Sequence, residues 1–198
     1  MIGIMAMSEN RCIGKNGKLP WHSKPDFQWF KEFTMGKDLL VGYKKFNTLP
    51  PLKNRRIWVV NFGVGDIQSQ SINNILGAEG LIEKVQREYI KENRHWGTSN
   101  YILIGGKKTY ELFMPHIAEF YVTLINGTYD GDTYMTEFEH LFSKNEVIRE
   151  FEGGKVIKYY DRITGSHTIV GTPPPRCKIC DAEIYNEPEE GFNYCSPY

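Results

Sequence analysis

The stretch at residues 19–34, LPWHSKPDFQWFKEFT, constrains the fold more than any other part of this chain. Ser23 is a favourable N-cap, and Pro25 falls in the first helical turn, where a missing N–H group has no cost. Asp26 follows Ser23 by three residues and completes a capping-box pattern with a shorter acid than usual. The stretch therefore predicts a helix over residues 24–35.

One face of this predicted helix combines a carboxylate with two aromatic rings. Asp26, Phe30 and Phe33 lie four and three residues apart, a spacing that places them on the same side of a helix. Apolar surroundings disfavour an ionised carboxylate and raise its pKa. Such an acid can anchor a flat, protonatable, nitrogen-rich ligand and assist proton transfer near neutral pH. Helix statistics favour a simpler alternative, in which Asp26 only caps the helix and the aromatic rings join the core.

The composition limits the classes of protein to which the chain can belong. Its 198 residues, 40% of them hydrophobic, suit one globular domain with a small appendage. The 24 acidic and 24 basic residues balance, which argues against nucleic-acid binding, and no polybasic cluster indicates a membrane surface. No apolar run is long enough to span a bilayer, and the first residues are typical of a strand rather than a leader peptide. A cytoplasmic location is therefore expected.

Apolar runs alternate with helical patterns along most of the chain, which is typical of an α/β fold. The polar segment at residues 8–18, hereafter the lid, predicts a long loop, and long loops in compact domains are often functional. Gly153 and Gly154 suit a tight hairpin turn between the last two strands. We predict strands at 2–7, 38–41, 57–60, 101–104, 119–125, 146–151 and 155–160, and further helices at 43–48, 81–93 and 108–113.

Short motifs in the first four-fifths of the chain follow one another in a characteristic order. They are Ala6, Ile13-Gly14, Leu19-Pro20-Trp21, Pro25-Asp26, Trp29-Phe30-Lys31, Ile104-Gly105-Gly106 with Tyr110, the strand FYVTLI at 120–125, and Gly131-Asp132-Thr133. In this order they resemble the dihydrofolate reductase family. The resemblance implies a mostly parallel central sheet of eight strands that ends in an antiparallel hairpin and is flanked by helices. It places the reductase-like domain at residues 1–164, and implies that the lid closes over a nicotinamide.

The resemblance also implies an activity, the NADPH-dependent reduction of 7,8-dihydrofolate to tetrahydrofolate. Hydride passes to C6 of the pterin while N5 takes a proton. In this family pattern Asp26 binds the pterin and favours protonation of N5, and Trp21 orders the water between them. Arg55 aligns with the arginine that holds the substrate's α-carboxylate, although its neighbour Arg56 could be confused with it. The implied substrate-binding residues are Met5, Ala6, Asp26, Phe30, Arg55, Ile104 and Thr123.

The implied cofactor site departs from the family pattern at two places. After Gly42 the family has an arginine and, two residues later, a threonine, whereas this chain has Tyr43, Lys44 and Lys45. Lysines meet phosphate as point charges and lack arginine's fork geometry. The glycine pair between a strand and a helix places backbone N–H groups beside a pyrophosphate, and a lysine replaces the third glycine. The implied cofactor residues are Ala6, Ile13, Gly14, Leu19, Gly42, Lys44, Lys45, Gly105, Gly106, Lys107, Lys108 and Tyr110.

Two other functions fit the same fold. A reductase of the riboflavin pathway would prefer a ribosyl phosphate to a glutamate tail, and the Pro25-Asp26 helix start and Arg55 argue against it. A catalytically weak structural or assembly subunit would use the C-terminal tail as a docking module. We expect a monomer or a weak homodimer that binds a small-molecule substrate.

The tail at residues 165–198 has no counterpart in the common form of the family. Three prolines at 173–175 predict a stiff linker, and Cys177 and Cys180 form one knuckle of a zinc ribbon. Cys195 begins a second knuckle, and the chain offers no obvious fourth ligand. Candidate fourth ligands are His167, Asp181, a neighbouring chain and the terminal carboxylate; the alternative is a ribbon that binds nothing. Cys12 stands alone, so no disulfide framework is expected in the main domain.

Overall fold

The computed structural model describes residues 1–61, 75–77, 101–163, 184–186 and 193–195. The chain divides into two units, Met1–Ile163 and Thr164–Tyr198. The strands, in chain order, are β1 (Ile2–Ser8), β2 (Cys12–Gly14), β3 (Asp38–Gly42), β4 (Arg56–Asn61), β5 (Ile75–Gly77), β6 (Tyr101–Leu103), β7 (Glu119–Ile125), β8 (Thr133–Tyr134), β9 (Phe142–Phe151), β10 (Gly154–Arg162), β11 (Ile184–Asn186) and β12 (Asn193–Cys195). The helices are α1 (Lys24–Thr34), α2 (Tyr43–Phe46) and α3 (Lys107–Phe113), and single 3₁₀ turns lie at Met114–His116 and Glu139–Leu141.

An eight-stranded sheet forms the centre of the first unit, in the order β5-β4-β3-β6-β1-β7-β10-β9. The first six strands of this order run parallel, and β10 is antiparallel to both β7 and β9. The structure thus confirms the predicted α/β fold with a mostly parallel sheet and a C-terminal hairpin. Gly153 has a φ of 89° in the hairpin turn, a conformation that favours glycine. The second unit contains the antiparallel pair of β11 and β12.

Several predicted boundaries differ from the structure. β9 begins at Phe142, four residues before the predicted strand, because its side chains are exposed at the sheet edge and follow no apolar alternation. The lid was predicted as a loop but includes the three-residue strand β2, which pairs with β8. β5 was not placed by the sequence. The predicted helix at 81–93 lies outside the described residues.

Helix α1 begins as its sequence predicts. The Ser23 hydroxyl accepts a hydrogen bond from the backbone N–H of Asp26 at 3.3 Å, and Pro25 lies in the first turn. Trp29, Phe30 and Phe33 are partly buried and pack against a cluster on one sheet face, formed by Ile4, Leu39, Val41, Val59, Ile102 and Ile104. This packing fixes the helix on the sheet, with Asp26 at its amino-terminal end.

The core occupies both faces of the sheet, as is typical of parallel strands. Leu39 and Val41 belong to the cluster under α1, while Leu40 between them belongs to the opposite cluster, because alternate side chains point to opposite faces. The opposite cluster also contains Phe113 and Phe120, which are fully buried. Both faces of β3 are therefore covered by packed side chains.

Gly3 provides a test of the packing on this opposite face. A β-carbon at Gly3 would lie 2.7 Å from the ring of the fully buried Phe120. We expect Gly3→Ala to lower the free energy of unfolding by about 1–3 kcal/mol, because overpacking forces the ring to move. Urea denaturation measures the loss, which should shrink in a Phe120→Leu background. Additive effects of the two substitutions would contradict the contact.

Candidate active site

A cleft of about 1050 Å³ opens where the parallel strands β3 and β6 end. Ligands of open α/β sheets bind outside the carboxyl ends of the strands, which is the position of this cleft. The cleft brings together every residue of the main domain for which the sequence analysis predicted a site role. These are Met5, Ala6, Ile13, Gly14, Leu19, Trp21, Asp26, Phe30, Gly42, Lys44, Lys45, Arg55, Ile104, Gly105, Gly106, Lys107, Lys108, Tyr110 and Thr123.

Asp26 is a buried acid on the wall of the cleft. It is 5% exposed, and this burial raises the pKa of its carboxyl above the usual aspartate value. The nearby Thr123 hydroxyl lowers that pKa in part. Thr123 is itself buried, and its hydroxyl makes no hydrogen bond of ordinary geometry within the described residues. The carboxyl and the hydroxyl therefore form a polar pair that a ligand in the cleft can satisfy.

Arg55 faces the cleft in a fixed orientation. Its Nε donates to the carbonyl oxygen of Lys53 at 3.1 Å, and its Nη1 donates to the hydroxyl of Thr34 at 3.1 Å. Thr34 is fully buried at the end of α1, where its hydroxyl donates to the carbonyl oxygen of Phe30 at 2.6 Å. Two anchors thus hold the guanidinium, whose other N–H groups make no further hydrogen bond within the described residues.

Arg56, the neighbour that the sequence could not separate from Arg55, lies elsewhere. Its Nε donates to the carboxylate of Asp38 at 2.6 Å, and its guanidinium lies over the ring of Trp58. Its side chain is 64% exposed and does not line the cleft. The structure therefore assigns the cleft-facing position to Arg55.

The glycine pair forms a tight turn between β6 and α3. Gly105 has a φ of 108°, and a β-carbon there would lie 3.0 Å from the ring of Tyr110. The peptide bond between Gly105 and Gly106 is cis. The N–H of Gly42 donates to the carbonyl oxygen of Gly105 at 2.8 Å, and the buried hydroxyl of Tyr110 donates to that of Ile4 at 2.7 Å. These contacts hold a bare stretch of backbone at the cleft surface, where a ligand can approach closely.

The lid contacts the segment that precedes β8. The N–H of Asn16 donates to the carboxylate of Asp132 at 2.6 Å, and the N–H of Asp132 donates to the carbonyl oxygen of Gly14 at 3.0 Å. Lys15 forms an ion pair of 2.6 Å with Asp130. The Asn16 N–H and the Thr133 hydroxyl lower the pKa of Asp132, because both donate hydrogen bonds to the ionised carboxylate. Residues of the lid and Thr133 both line the cleft.

Sequence reasoning missed a group of residues that also line the cleft. Leu49, Pro50 and Leu52 follow α2, and the signal for them was an apolar LPPL run that contains two prolines and lies outside any strand pattern. Phe27 is 44% exposed on α1, and its ring contacts His22. The full set of cleft residues without a predicted role is Ile4, Gly17, Lys18, His22, Phe27, Lys31, Tyr43, Thr48, Leu49, Pro50, Leu52, Thr109 and Thr133.

The tail cysteines are not part of the described side chains. Cys177 and Cys180 lie outside the described residues, and Cys195 is described as part of the strand β12. Among the described residues, no cluster of three metal-ligating side chains occurs. The helices in the described part of the chain include none with the length and apolar character that crossing a membrane requires.

Comparison with known proteins places these observations in a family. A sequence model described as dihydrofolate reductase matches residues 1–160. The dihydrofolate reductase of Mycoplasma genitalium is 30% identical over 164 residues, which cover 81% of this chain and 96% of the relative. That of Bacillus subtilis is 30% identical over 137 residues, covering 69% and 75%.

A solved structure shares the fold. It is a dihydrofolate reductase from Enterococcus faecalis, in complex with NADP(H) and the compound RAB-propyl. It aligns with a TM-score of 0.61 at 24% identity and covers 82% of this chain and 95% of its own length.

The buried acid predicts a change in stability with pH. Because burial raises the pKa of Asp26 in the folded state, ionisation opposes folding at pH values above the pKa of the unfolded chain. We expect Asp26→Asn to raise the free energy of unfolding at neutral pH, and this gain to shrink as the pH falls and the parent carboxyl takes its proton. Urea denaturation between about pH 4 and pH 8 measures the difference. A gain that is independent of pH would contradict the raised pKa.

Proposed function

The chain belongs to the dihydrofolate reductase family, and we propose that it catalyses the NADPH-dependent reduction of 7,8-dihydrofolate to 5,6,7,8-tetrahydrofolate. The observation that carries this proposal is the position of Asp26. Its buried carboxyl and the Thr123 hydroxyl lie in the same cleft as the backbone turn at Gly105–Gly106. One cleft therefore offers a carboxyl and a hydroxyl group that can bind a pterin, and an exposed backbone turn that can bind a dinucleotide.

The residues around the turn fit a dinucleotide phosphate. Gly105 and Gly106 line the cleft, α3 begins directly after them, and Lys44, Lys45 and Lys108 line the same cleft. Backbone N–H groups and lysine ammonium groups are the donors that phosphates require. When bound, NADPH supplies a hydride to C6 of the pterin. The protein's contribution is to hold the two rings together and exclude water.

Asp26 and Thr123 serve the pterin end of the cleft. A carboxylate that faces the amidine edge of the pterin accepts two hydrogen bonds and favours the protonated form of the bound ring. The raised pKa of Asp26 brings its proton affinity closer to neutral pH, where a proton relay to N5 is effective. Trp21 lines the cleft with 9% of its surface exposed, and we assign to it the ordering of the water between Asp26 and N5.

Arg55 serves the opposite end of the substrate. Its guanidinium is anchored by Lys53 and Thr34, which leaves its free edge for the α-carboxylate of the glutamate tail. Phe27, Leu49 and Leu52 provide apolar contacts for the ring system between the pterin and the tail. A carboxylate-reading arginine in this position favours a folate over the ribosyl phosphate of the riboflavin pathway.

We propose a cytoplasmic location and a monomeric or weakly dimeric state, with residues 165–198 as an appendage separate from the reductase domain 1–164. The proline run at 173–175 supports this division. A segment of this length buries little core, so it requires a metal, a partner or the main domain to become ordered.

Asp26 is expected to carry the proton step. We predict that Asp26→Asn lowers the single-turnover hydride-transfer rate about 100-fold or more at pH 7, while cofactor binding stays close to that of the parent. More acidic buffer should restore part of the rate, because it protonates the substrate beforehand. Stopped-flow measurement of NADPH oxidation tests this. Glu32→Gln, which changes a half-exposed carboxylate of the same helix, is the matched control. Equal rates for Asp26→Asn and parent at all pH values would remove Asp26 from the mechanism.

Arg55 and Arg56 form a matched pair of variants. Arg55→Lys should weaken transition-state binding of dihydrofolate by about 1.5–3 kcal/mol, because a charge-assisted contact in fork geometry is lost. A pterin that lacks the glutamate tail should be affected much less. Arg56→Lys should leave kcat/KM for both substrates close to the parent value, because Arg56 lies outside the cleft. An equal loss for both substrates in Arg55→Lys would show that Arg55 has a structural role.

The tail cysteines give a separate proposal, that Cys177, Cys180 and Cys195 bind zinc. The purified protein should then carry close to one zinc per chain by elemental analysis. Cys177→Ser should abolish the metal without changing reductase activity, with Cys12→Ser as a control that keeps the metal. Protein that contains no metal would contradict the proposal. Loss of reductase activity on truncation at Thr172 would show that the tail supports the active site and that the proposed domain boundary is wrong.

A further inference from the structure

Lys45 lies between the lid and the glycine turn. Its Nζ is 3.5 Å from the carbonyl oxygen of Gly17, at the outer limit of a hydrogen bond. Its β-carbon is 3.9 Å from the position that a β-carbon on Gly106 would occupy. The side chain therefore runs from the phosphate-binding turn at one end to the lid at the other. The family pattern has a threonine at this position, which is too short to reach both.

The lid meets α2 at a second point beside Lys45. A β-carbon on Gly17 would lie 3.1 Å from the methyl group of Thr48, so the lid backbone packs directly on the segment that follows α2. Lys15 and Lys18 form two backbone hydrogen bonds with each other, which close a tight turn. Gly17 lies in this turn with a φ of 76°. The tip of the lid thus lies over the element that carries Lys45.

The ammonium of Lys45 lacks a counter-ion among the described residues. Lys15 and Lys158, by contrast, form ion pairs with Asp130 and Glu119. Lys45 is partly buried in the cleft, and burial lowers its pKa with no carboxylate to oppose the effect. An ammonium carries three donors, and the Gly17 carbonyl takes one of them at long range. Lys45 also lines the cleft, and an anion bound there would restore the favourable charge balance.

We propose that Lys45 is a latch that joins the lid to the pyrophosphate of the bound dinucleotide, so that one side chain couples cofactor retention to lid closure. This inference rests on the proposed function. The pyrophosphate is the anion that belongs beside Gly106 and the start of α3, and it is common to NADPH and NADH. Lys45 is therefore distinct from the exposed Lys44, to which we assign the preference for the 2′-phosphate of NADPH.

The test compares Lys45→Met with two controls. Methionine keeps the length and apolar stem of the side chain and removes its charge. Lys45→Arg retains the charge, and Lys37→Met removes the charge of an exposed lysine outside the cleft. Each protein is titrated with NADPH and with NADH by fluorescence, and cofactor release is followed by stopped-flow trapping. Hydrogen exchange of the Lys15 and Lys18 amides reports on the lid with and without saturating NADPH.

Lys45→Met should raise the Kd of both cofactors by about tenfold or more, leave their ratio unchanged and speed release of both. Saturating NADPH should protect the lid amides less than in the parent. Lys45→Arg should retain most of the affinity and protection, and Lys37→Met should match the parent. Raising the salt concentration should narrow the difference in cofactor Kd between the parent and Lys45→Met, because salt screens the lysine charge. Lys44→Ala should instead reduce the ratio of the two affinities.

Three results would overturn the inference. An effect on NADPH alone would show that Lys45 reads the 2′-phosphate, and an equal effect of Lys37→Met would show a general charge effect. Unchanged affinity and lid protection in Lys45→Met would show that the side chain makes no contact. If the parent reduces dihydrofolate in any of these cases, the proposed function stands. A parent that binds neither cofactor would remove the proposed function and this inference together.

Discussion

Burial of the parallel strands on both faces is the constraint on which the rest of the structure depends. Apolar side chains pack on the two faces of β3 and β6, so a ligand cannot reach the sheet surface there. The strand ends remain accessible, and there the chain must leave the sheet through turns with exposed backbone groups. The cleft forms at this edge, which explains why residues from distant parts of the sequence, such as Ala6, Gly42 and Ile104, share one site.

The packing of α1 on the sheet also buries one acid, Asp26, in the cleft. Asp26 begins as the N-terminal carboxylate of α1, a position in which an acid stabilises a helix. Packing of Trp29, Phe30 and Phe33 on the sheet presses the same carboxylate into the cleft beside Thr123. Burial raises the pKa of the carboxyl and opposes folding, so the chain keeps the acid at some cost in stability. The catalytic role that we propose for Asp26 would account for such a cost.

Charged residues that are adjacent in the sequence lie in different surroundings in the folded chain. Arg55 and Arg56 are adjacent, yet one faces the cleft and the other pairs with Asp38 on the surface. Lys44 and Lys45 are also adjacent, yet the first is exposed and the second runs beneath the lid. In both pairs the difference arises because successive side chains leave the backbone in different directions and therefore meet different neighbours.

The sequence by itself determined the α/β class and the N-cap of α1 at Ser23, and it predicted residues that share the cleft, because capping, apolar runs and ordered motifs are local signals. It did not reveal β5, the pairing of β2 with β8, or the part of the cleft that Leu49 lines. These features depend on contacts between distant segments. Tertiary structure alone separated Arg55 from Arg56 and brought Lys45 to Gly17. Side-chain direction and the distance between remote residues are properties of the packed chain, and residue order carries no direct record of them.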